Sequence, residues 1–436
     1  MKPGGLKAGV RERLIQQALQ RRLARAGAAS GETPETLAEG GFDRLPAYEE
    51  LRIMREGARR LGVESPFFRV HEGRAGATTR IAGREYVNFA SYDYLGLCGH
   101  PEVAAAAARA IARYGTTVSA SRLVAGERPI HRELEGAIAA HYGSDDALVL
   151  VSGHATNVTV IGYLLGPRDL ILHDELIHNS VLEGAKLSGA HRQSFPHGDW
   201  AALDALLGER RRRYERILIV VEGLYSMDGD IPDLPLLVEI KNRHRAWLMV
   251  DEAHSFGVLG ARGWGIREHY GLPAEAVDIW MGTLSKALAG CGGYIAGNRV
   301  LIDILRHFAP GFLYSVGLAP PLAAASLTAL EILDREPRRV TRLQAHGRLF
   351  SELARAAGID LGASAGYAVI PVMTGGSLRA TRLANRLFER GIHVQPILYP
   401  AVPEGSARLR FFLSSEHEEG QIRDTVAVLA RTLQEV

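Results

Sequence analysis

The run Asp278-Ile279-Trp280-Met281-Gly282-Thr283-Leu284-Ser285-Lys286-Ala287-Leu288-Ala289-Gly290-Cys291-Gly292-Gly293 decides how the rest of the chain is read. Its apolar start has the pattern of a buried strand that stops at Gly282. A hydroxyl-bearing turn then delivers one lysine, and small residues on both sides leave room for a flat, bulky group to reach its amine. A lysine that is partly desolvated, or set near other cations, becomes a nucleophile suited to Schiff-base chemistry. A surface lysine in a flexible loop has the same local composition. The motifs around it decide between the two.

Working outward, strand-like apolar runs recur at 147–151, 170–172, 217–221 and 247–251 before the one at 278–282. Helical patterns separate most of them. That rhythm predicts βα units around a mainly parallel sheet, with strands nearly continuous in Val, Ile and Leu because both faces are covered. Ligands of such sheets gather beyond the carboxyl ends of the strands. Ser152-Gly153-His154, the run 222–230, Asp251-Glu252-Ala253-His254 and Thr283 to Lys286 all fall there. Before the first unit, 65–89 reads as short strands joined at Glu72-Gly73 and Ala82-Gly83. An alanine-rich helix then ends near Gly115, and a turn at 126–131 leads to a helix opening at Arg132. After about residue 322 a long helical region runs to about Ala356. Strand patterns at 368–373, 393–395 and 408–413 then alternate with helices at 378–390 and 419–433, as in a smaller α+β domain.

Composition narrows the function. The chain has 436 residues, 47% hydrophobic and 23% charged, with a net charge of +2. Near-neutrality argues against nucleic acid as the main partner, which needs a clear basic excess. No run of about 18 apolar residues is present, so no membrane span is expected. Two cysteines, Cys98 and Cys291, cannot build a disulfide framework or a four-thiolate zinc site, and no metal site is expected; a reducing, cytoplasmic setting is the default. Residues 1–45 form a basic extension and linker. Between Lys2 and Arg25 there are seven Lys or Arg and one acid, and Val10, Leu14, Ile15, Ala18, Leu19 and Leu23 share one helical face. Such a helix could dock an acidic carrier protein, lie on a membrane surface, or pack on its own dimer.

Individual residues then acquire chemistry. Asp251 ends a buried strand, where a carboxylate is costly unless a cation meets it. A structural salt bridge would serve, and so would the protonated ring nitrogen of a bound cofactor, kept charged as an electron sink. His254 and Ser226 can hydrogen-bond a phenolic oxygen beside the lysine, and His178 can stack on an aromatic ring. Gly153 and His154 open a helix directly after a strand, where backbone N–H groups and the helix dipole favour a phosphate. The hydroxyl of Thr283 can reach the same phosphate. Arg410 can clamp a substrate carboxylate; Arg408 competes for that role, and as strand neighbours the two are expected to face opposite sides.

Six stretches in order, 88–96, 152–157, 174–180, 222–230, 251–254 and 283–293, resemble the α-oxoamine synthases. The resemblance runs from about residue 65 to the C-terminus. Tyr92 and Thr283-Leu284-Ser285-Lys286 look closest to serine palmitoyltransferases and to similar enzymes found with polyketide synthases. It implies the aspartate-aminotransferase fold, fold type I of the pyridoxal-phosphate enzymes. The expected organisation is an N-terminal segment (46–100), a large cofactor domain (101–321) and a small C-terminal domain (322–436). It also implies pyridoxal 5′-phosphate on Lys286, with Asp251 at the ring nitrogen, His254 and Ser226 at the phenolic oxygen and His178 on the ring. Gly153, His154 and Thr283 would hold the phosphate, Arg410 the substrate carboxylate, and Tyr92 would lie in the substrate site. The expected reaction is decarboxylative condensation of glycine, L-alanine or L-serine with an acyl thioester, acyl-coenzyme A or acyl-carrier protein. A homodimer with active sites at its interface is implied.

Departures from the family pattern are local. His154 stands where relatives usually carry Phe or Tyr, Tyr92 replaces the Asn of the oxononanoate synthases, and Val316 stands where some relatives have a threonine. Other reactions of the same fold, transamination or aldol cleavage, remain open. A non-catalytic partner subunit would lack the lysine that is present here.

Overall fold

The expected alternation of strands and helices is present, and it builds one large sheet alongside which the chain forms two smaller ones. The computed structural model describes residues 41–436, in two units divided between Phe68 and Arg69. The basic helical stretch expected within residues 10–25 lies outside the described residues. In the first unit, the helix Pro46–Arg60 starts on a proline and carries surface ion pairs such as Arg52–Glu49 and Arg60–Glu56. Pairs of this spacing stabilise a helix by only about 0.2–0.5 kcal/mol each.

In the second unit, β1 (Thr78–Ile81) and β2 (Arg84–Asn88) form a hairpin. Its two turn residues, Ala82 and Gly83, both have positive φ, 49° and 75°, as the tightest hairpin loop requires. The large sheet follows: β3 (Asp146–Leu150), β4 (Leu170–Asp174), β5 (His191–Phe195), β6 (Ile217–Glu222), β7 (Trp247–Asp251), β8 (Ile279–Thr283) and β9 (Gly293–Gly297), in the order β3-β9-β8-β7-β6-β4-β5. Only β9 runs antiparallel to its neighbours. Every residue of β6 is buried. Ile217, Ile219 and Val221 join one hydrophobic layer, and Leu218 and Val220 join the other. Side chains alternate between faces with period two, so a strand covered on both sides must be apolar throughout. Each aliphatic side chain buried this way contributes about 1.5–3 kcal/mol.

Two strands escaped the sequence reading. β5 is an edge strand, His-Arg-Gln-Ser-Phe, whose solvated side chains carry no apolar signal. β9 is Gly-Tyr-Ile-Ala-Gly, wholly buried, and its leading glycine merges with the glycine-rich loop after the lysine. Three boundaries also moved. The helix expected from Arg132 begins at Pro129, where proline suits the first helical position. The long helix after residue 322 is two helices, Pro320–Arg335 and Arg338–Ala356, because Glu336 precedes Pro337 and is driven out of helical geometry. The strand expected at 393–395 is split. β10 (Val369–Gly375) pairs with β13 (Ala407–Phe412), which pairs in turn with β12 (Gln395–Ile397), while β11 (Ile392–His393) joins β2 in another sheet.

What this topology does for function is bring polar strand ends together. Glu222 lies opposite Asp251, and Asp251 opposite Met281, at the carboxyl edge of three parallel strands. Gly293 opens β9 opposite Thr283 and Leu150, at the same edge. A Cβ on Gly293 would sit 2.4 Å from Thr156 Oγ1 and 2.7 Å from Gly153 Cα. The helix Gly153–Leu164 therefore seats on the sheet through bare glycine backbone. Gly293→Ala should destabilise the protein by about 1–3 kcal/mol, as overpacking does. Urea unfolding would show this as a lowered midpoint; an unchanged midpoint would mean that the contact yields without strain.

Candidate active site

A cavity of about 210 Å³ opens at this edge, walled by residues from the ends of β3, β4, β6, β7 and β8 and the segments that follow them. Ser152, Gly153 and His154 enter it at the start of a helix, where Ser152 accepts from the Ala155 N–H at 3.3 Å. Gly153 lies against Thr283: a Cβ there would come within 2.9 Å of Thr283 Oγ1. Thr283 Oγ1 donates to the Gly292 carbonyl at 2.9 Å, which pins the lysine loop at its base.

Leu284, Ala287 and Leu288 anchor that loop in the core, and Lys286 lines the cavity between them. Removal from water pulls the Lys286 ammonium down to about 8. Asp251 and Glu222 oppose that pull, and the Arg410 guanidinium adds to it. The amine is therefore partly neutral near physiological pH, which the sequence alone could only propose.

Asp251 is 4% exposed and has no ion pair among the described residues. Its Oδ2 accepts from Asn157 Nδ2 at 2.8 Å and its Oδ1 from the Ala253 N–H at 2.9 Å. The salt bridge that the strand-end position of Asp251 left open does not form among the described residues. Asn157 Nδ2 also donates to Ser180 Oγ at 2.9 Å, and Ser180 Oγ lies 2.7 Å from His178 Nδ1. One hydrogen-bonded chain thus runs from the carboxylate to His178, which burial keeps neutral by lowering its pKa. Glu222 is buried beside it, accepting from the Ser226 N–H at 3.0 Å. Burial first, and then the charge of Asp251, push the Glu222 carboxyl up to about 8.

Asn157, Ser180 and Glu222 were not singled out from the sequence, although all three lie inside the quoted motifs. Asn157 carried a usable signal: it is four residues after Gly153, on the same helix face.

The other expected residues gather around this core. His254 lines the cavity, and its Nδ1 lies 2.6 Å from Tyr94 Oη. Ser226 lines it too, while its carbonyl accepts from Arg410 Nη1 at 2.8 Å. His154 is exposed, with its ring edge-on to His178 at 6.3 Å. Tyr92 and Arg410 are not part of the cavity wall. Tyr92 is 40% exposed, with its ring centre 5.7 Å from Lys286 Nζ.

The expectation that Arg408 and Arg410 face opposite sides is wrong. They are two residues apart on β13, and a period of two puts them on one face. Both reach the same loop: Arg408 pairs with Asp228, and Arg410 bonds the Ser226 carbonyl. Arg408 is thereby neutralised. Arg410 has no carboxylate partner among the described residues, and its Nε donates to nothing there.

Comparison with known proteins gives this geometry a lineage. The model of the aminotransferase class I and II family matches residues 84–429. A putative 8-amino-7-oxononanoate synthase of Gloeobacter violaceus is 43% identical over 371 residues, covering 83% of this chain and 92% of that one.

The chain belongs to the α-oxoamine synthase family.

Solved structures agree with the fold. A serine palmitoyltransferase of Sphingomonas wittichii superposes with a TM-score of 0.86 at 29% identity, covering 91% of this chain and 99% of its own. The 8-amino-7-oxononanoate synthase of Francisella tularensis gives 0.69 at 27%, covering 80% and 98%. α-Oxoamine synthases depend on pyridoxal 5′-phosphate, and the residues here fit that group. An amine of lowered pKa, a buried carboxylate lacking a cation, and a helix start with a glycine cradle line one cavity. Among the described residues, no helix is long and apolar enough to cross a membrane.

With Lys286 as the reacting amine, the cofactor-free protein should take up pyridoxal phosphate faster as pH rises, because only the neutral amine attacks. The rate should level off above about 8 and fall about tenfold per pH unit below it. Stopped-flow absorbance measures this; a plateau reached only near the ordinary lysine value would contradict the lowered pKa.

Proposed function

We propose that this chain condenses glycine, L-alanine or L-serine with an acyl group carried as a thioester on coenzyme A or an acyl-carrier protein, using Lys286 to hold its cofactor. In broader terms the chain is a pyridoxal-phosphate-dependent acyltransferase of the α-oxoamine synthase type. The amino acid loses its carboxyl group as CO₂, its α-carbon bonds to the acyl carbon, the thiol departs, and an α-amino ketone results. The observation that carries this reading is Asp251, a buried carboxylate with two neutral donors and no ion-pair partner among the described residues.

Each residue then has a part. Asp251 holds a ring nitrogen in its protonated form, with Asn157 and Ala253 keeping the carboxylate in place. Pyridoxal phosphate, when bound, accepts the electrons left at the α-carbon. Lys286, with its amine near neutrality, takes the α-proton. His178 packs on the ring, and His254 and Ser226 meet the phenolic oxygen. Gly153, His154 and Thr283 hold the phosphate. Arg410 receives the substrate carboxylate through its remaining donors, and Tyr92 covers the approach to Lys286.

The active form proposed is a cytoplasmic homodimer. Leu123, Val124, Tyr314 and Val316 support a second copy: they expose apolar side chains on two segments that touch where the Gly317 N–H donates to the Ala120 carbonyl at 3.0 Å. The basic residues within 1–45 favour a carrier protein as donor, by charge alone.

Absorbance of the holoenzyme with glycine, L-alanine and L-serine in turn, each with acyl-coenzyme A or acyl-carrier protein, tests the reading. A new long-wavelength band that needs one amino acid and responds to one class of thioester would name both substrates. Spectral changes indifferent to thioester, with amino transfer to a keto acid, would replace the condensation with transamination. Asp251→Ala should retain the cofactor but lose turnover on the order of 10²–10³-fold, as when preorganised electrostatic stabilisation is removed. Full activity in that variant would end the role assigned to Asp251.

A further inference from the structure

His254 reaches the cavity held among aromatic rings. Tyr92 stands edge-on at 6.0 Å and Phe412 lies nearly parallel at 6.2 Å. Tyr94, wholly buried, approaches from behind, with its hydroxyl 2.6 Å from His254 Nδ1. The backbone holds Tyr94 there firmly. Asp93 Oδ1 accepts from the Leu97 N–H at 2.9 Å and the Cys98 N–H at 3.2 Å, and the Tyr94 carbonyl accepts from the Ser415 N–H at 2.7 Å.

Only one hydrogen can lie between Tyr94 Oη and His254 Nδ1, and each atom could supply it. The surroundings decide which one does. Among the described residues, His254 Nδ1 is the sole hydrogen-bond partner of the Tyr94 hydroxyl. Were Nδ1 to carry the proton, the phenolic hydrogen would point into packed apolar core with no acceptor, and a buried unmet donor is costly. Were the phenol to donate, both atoms would be satisfied. Transfer of the phenolic proton to the imidazole, to give a charged pair, is also disfavoured. Burial drives the Tyr94 pKa well above its ordinary value and the His254 pKa well below its own. Nδ1 is therefore bare, and the imidazole proton is on Nε2. That atom has no hydrogen-bond partner among the described residues, and the ring lines the cavity.

We propose that Tyr94 is a positioning residue: its hydroxyl sets the tautomer of His254, so that Nε2–H is presented to the cavity as a donor for the phenolic oxygen of the cofactor. The second half rests on the role given to His254 above; the first half does not. With the opposite tautomer, Nε2 would present a lone pair to an oxygen that carries negative charge. Tyr94 thus has a task that packing alone does not require, since phenylalanine would fill the same volume.

Histidine ¹⁵N NMR of the cofactor-free protein tests the first half directly, with the His254 signals identified by their loss in His254→Gln. The wild type should show Nδ1 at the unprotonated position and Nε2 at the proton-bearing position. In Tyr94→Phe the two signals should move towards one another as both tautomers become populated. A proton on Nδ1 in the wild type, or unmoved signals in Tyr94→Phe, would overturn the proposal. The wild-type spectrum decides even if the variant does not fold. The visible band of the Tyr94→Phe holoenzyme tests the second half and should be displaced. A band that stays put while the NMR signals move would overturn the contact of His254 with the cofactor oxygen and leave the tautomer lock standing.

Discussion

A carboxylate buried at the end of a strand, held by an amide and a backbone N–H and met by no cation of its own, is the constraint on which the rest of this site depends. Such a group is costly in a folded chain, and it persists because its neighbours are arranged around it. Asn157 binds it and passes the connection through Ser180 to His178. Burial, and then the charge of Asp251, make the adjacent Glu222 hold its own proton up to about 8. Lys286 faces both acids, yet desolvation still leaves its amine partly neutral. A cavity that combines an available amine with an uncompensated carboxylate is prepared for a cation that arrives with the cofactor.

The scaffold keeps these groups at fixed separations. Three parallel strands lie in register, so that Glu222, Asp251 and Met281 stand side by side without any loop being asked to hold them. The lysine is on a loop, but the loop is short of freedom. Leu284, Ala287 and Leu288 are sunk in the core, and Thr283 ties its base to Gly292. On the other side of the cavity, the glycine contact between β9 and the helix Gly153–Leu164 brings a helix start close to Thr283. Rigid elements supply the positions, and the side chains supply the chemistry.

Much of this was legible in the sequence. The strands that matter most are continuous aliphatic runs, and each is followed at once by a polar cluster, so both the sheet and its functional edge could be read from residues near one another in the chain. The lysine loop, the Asp251 strand end and the helix start at Gly153 are signals of that kind. β5 and β9 were not legible, one because an exposed edge strand need not be apolar, the other because its glycines resemble a loop. The misjudged orientation of Arg408 and Arg410 was an error in applying strand period. Their difference in availability could not be read at all, since Asp228 is far from Arg408 in sequence.

By itself, the sequence determined the family and the cofactor and proposed a set of site residues, because each depends on residue types at short spacing that folding leaves in place. Only the tertiary structure decided their states. The lowered Lys286 pKa, the proton on Glu222 and the bond of Tyr94 to His254 arise between segments 29 to 160 residues apart, through burial and contact that no local pattern encodes. Protonation and tautomer follow from what surrounds a group in space, and folding is what creates those surroundings.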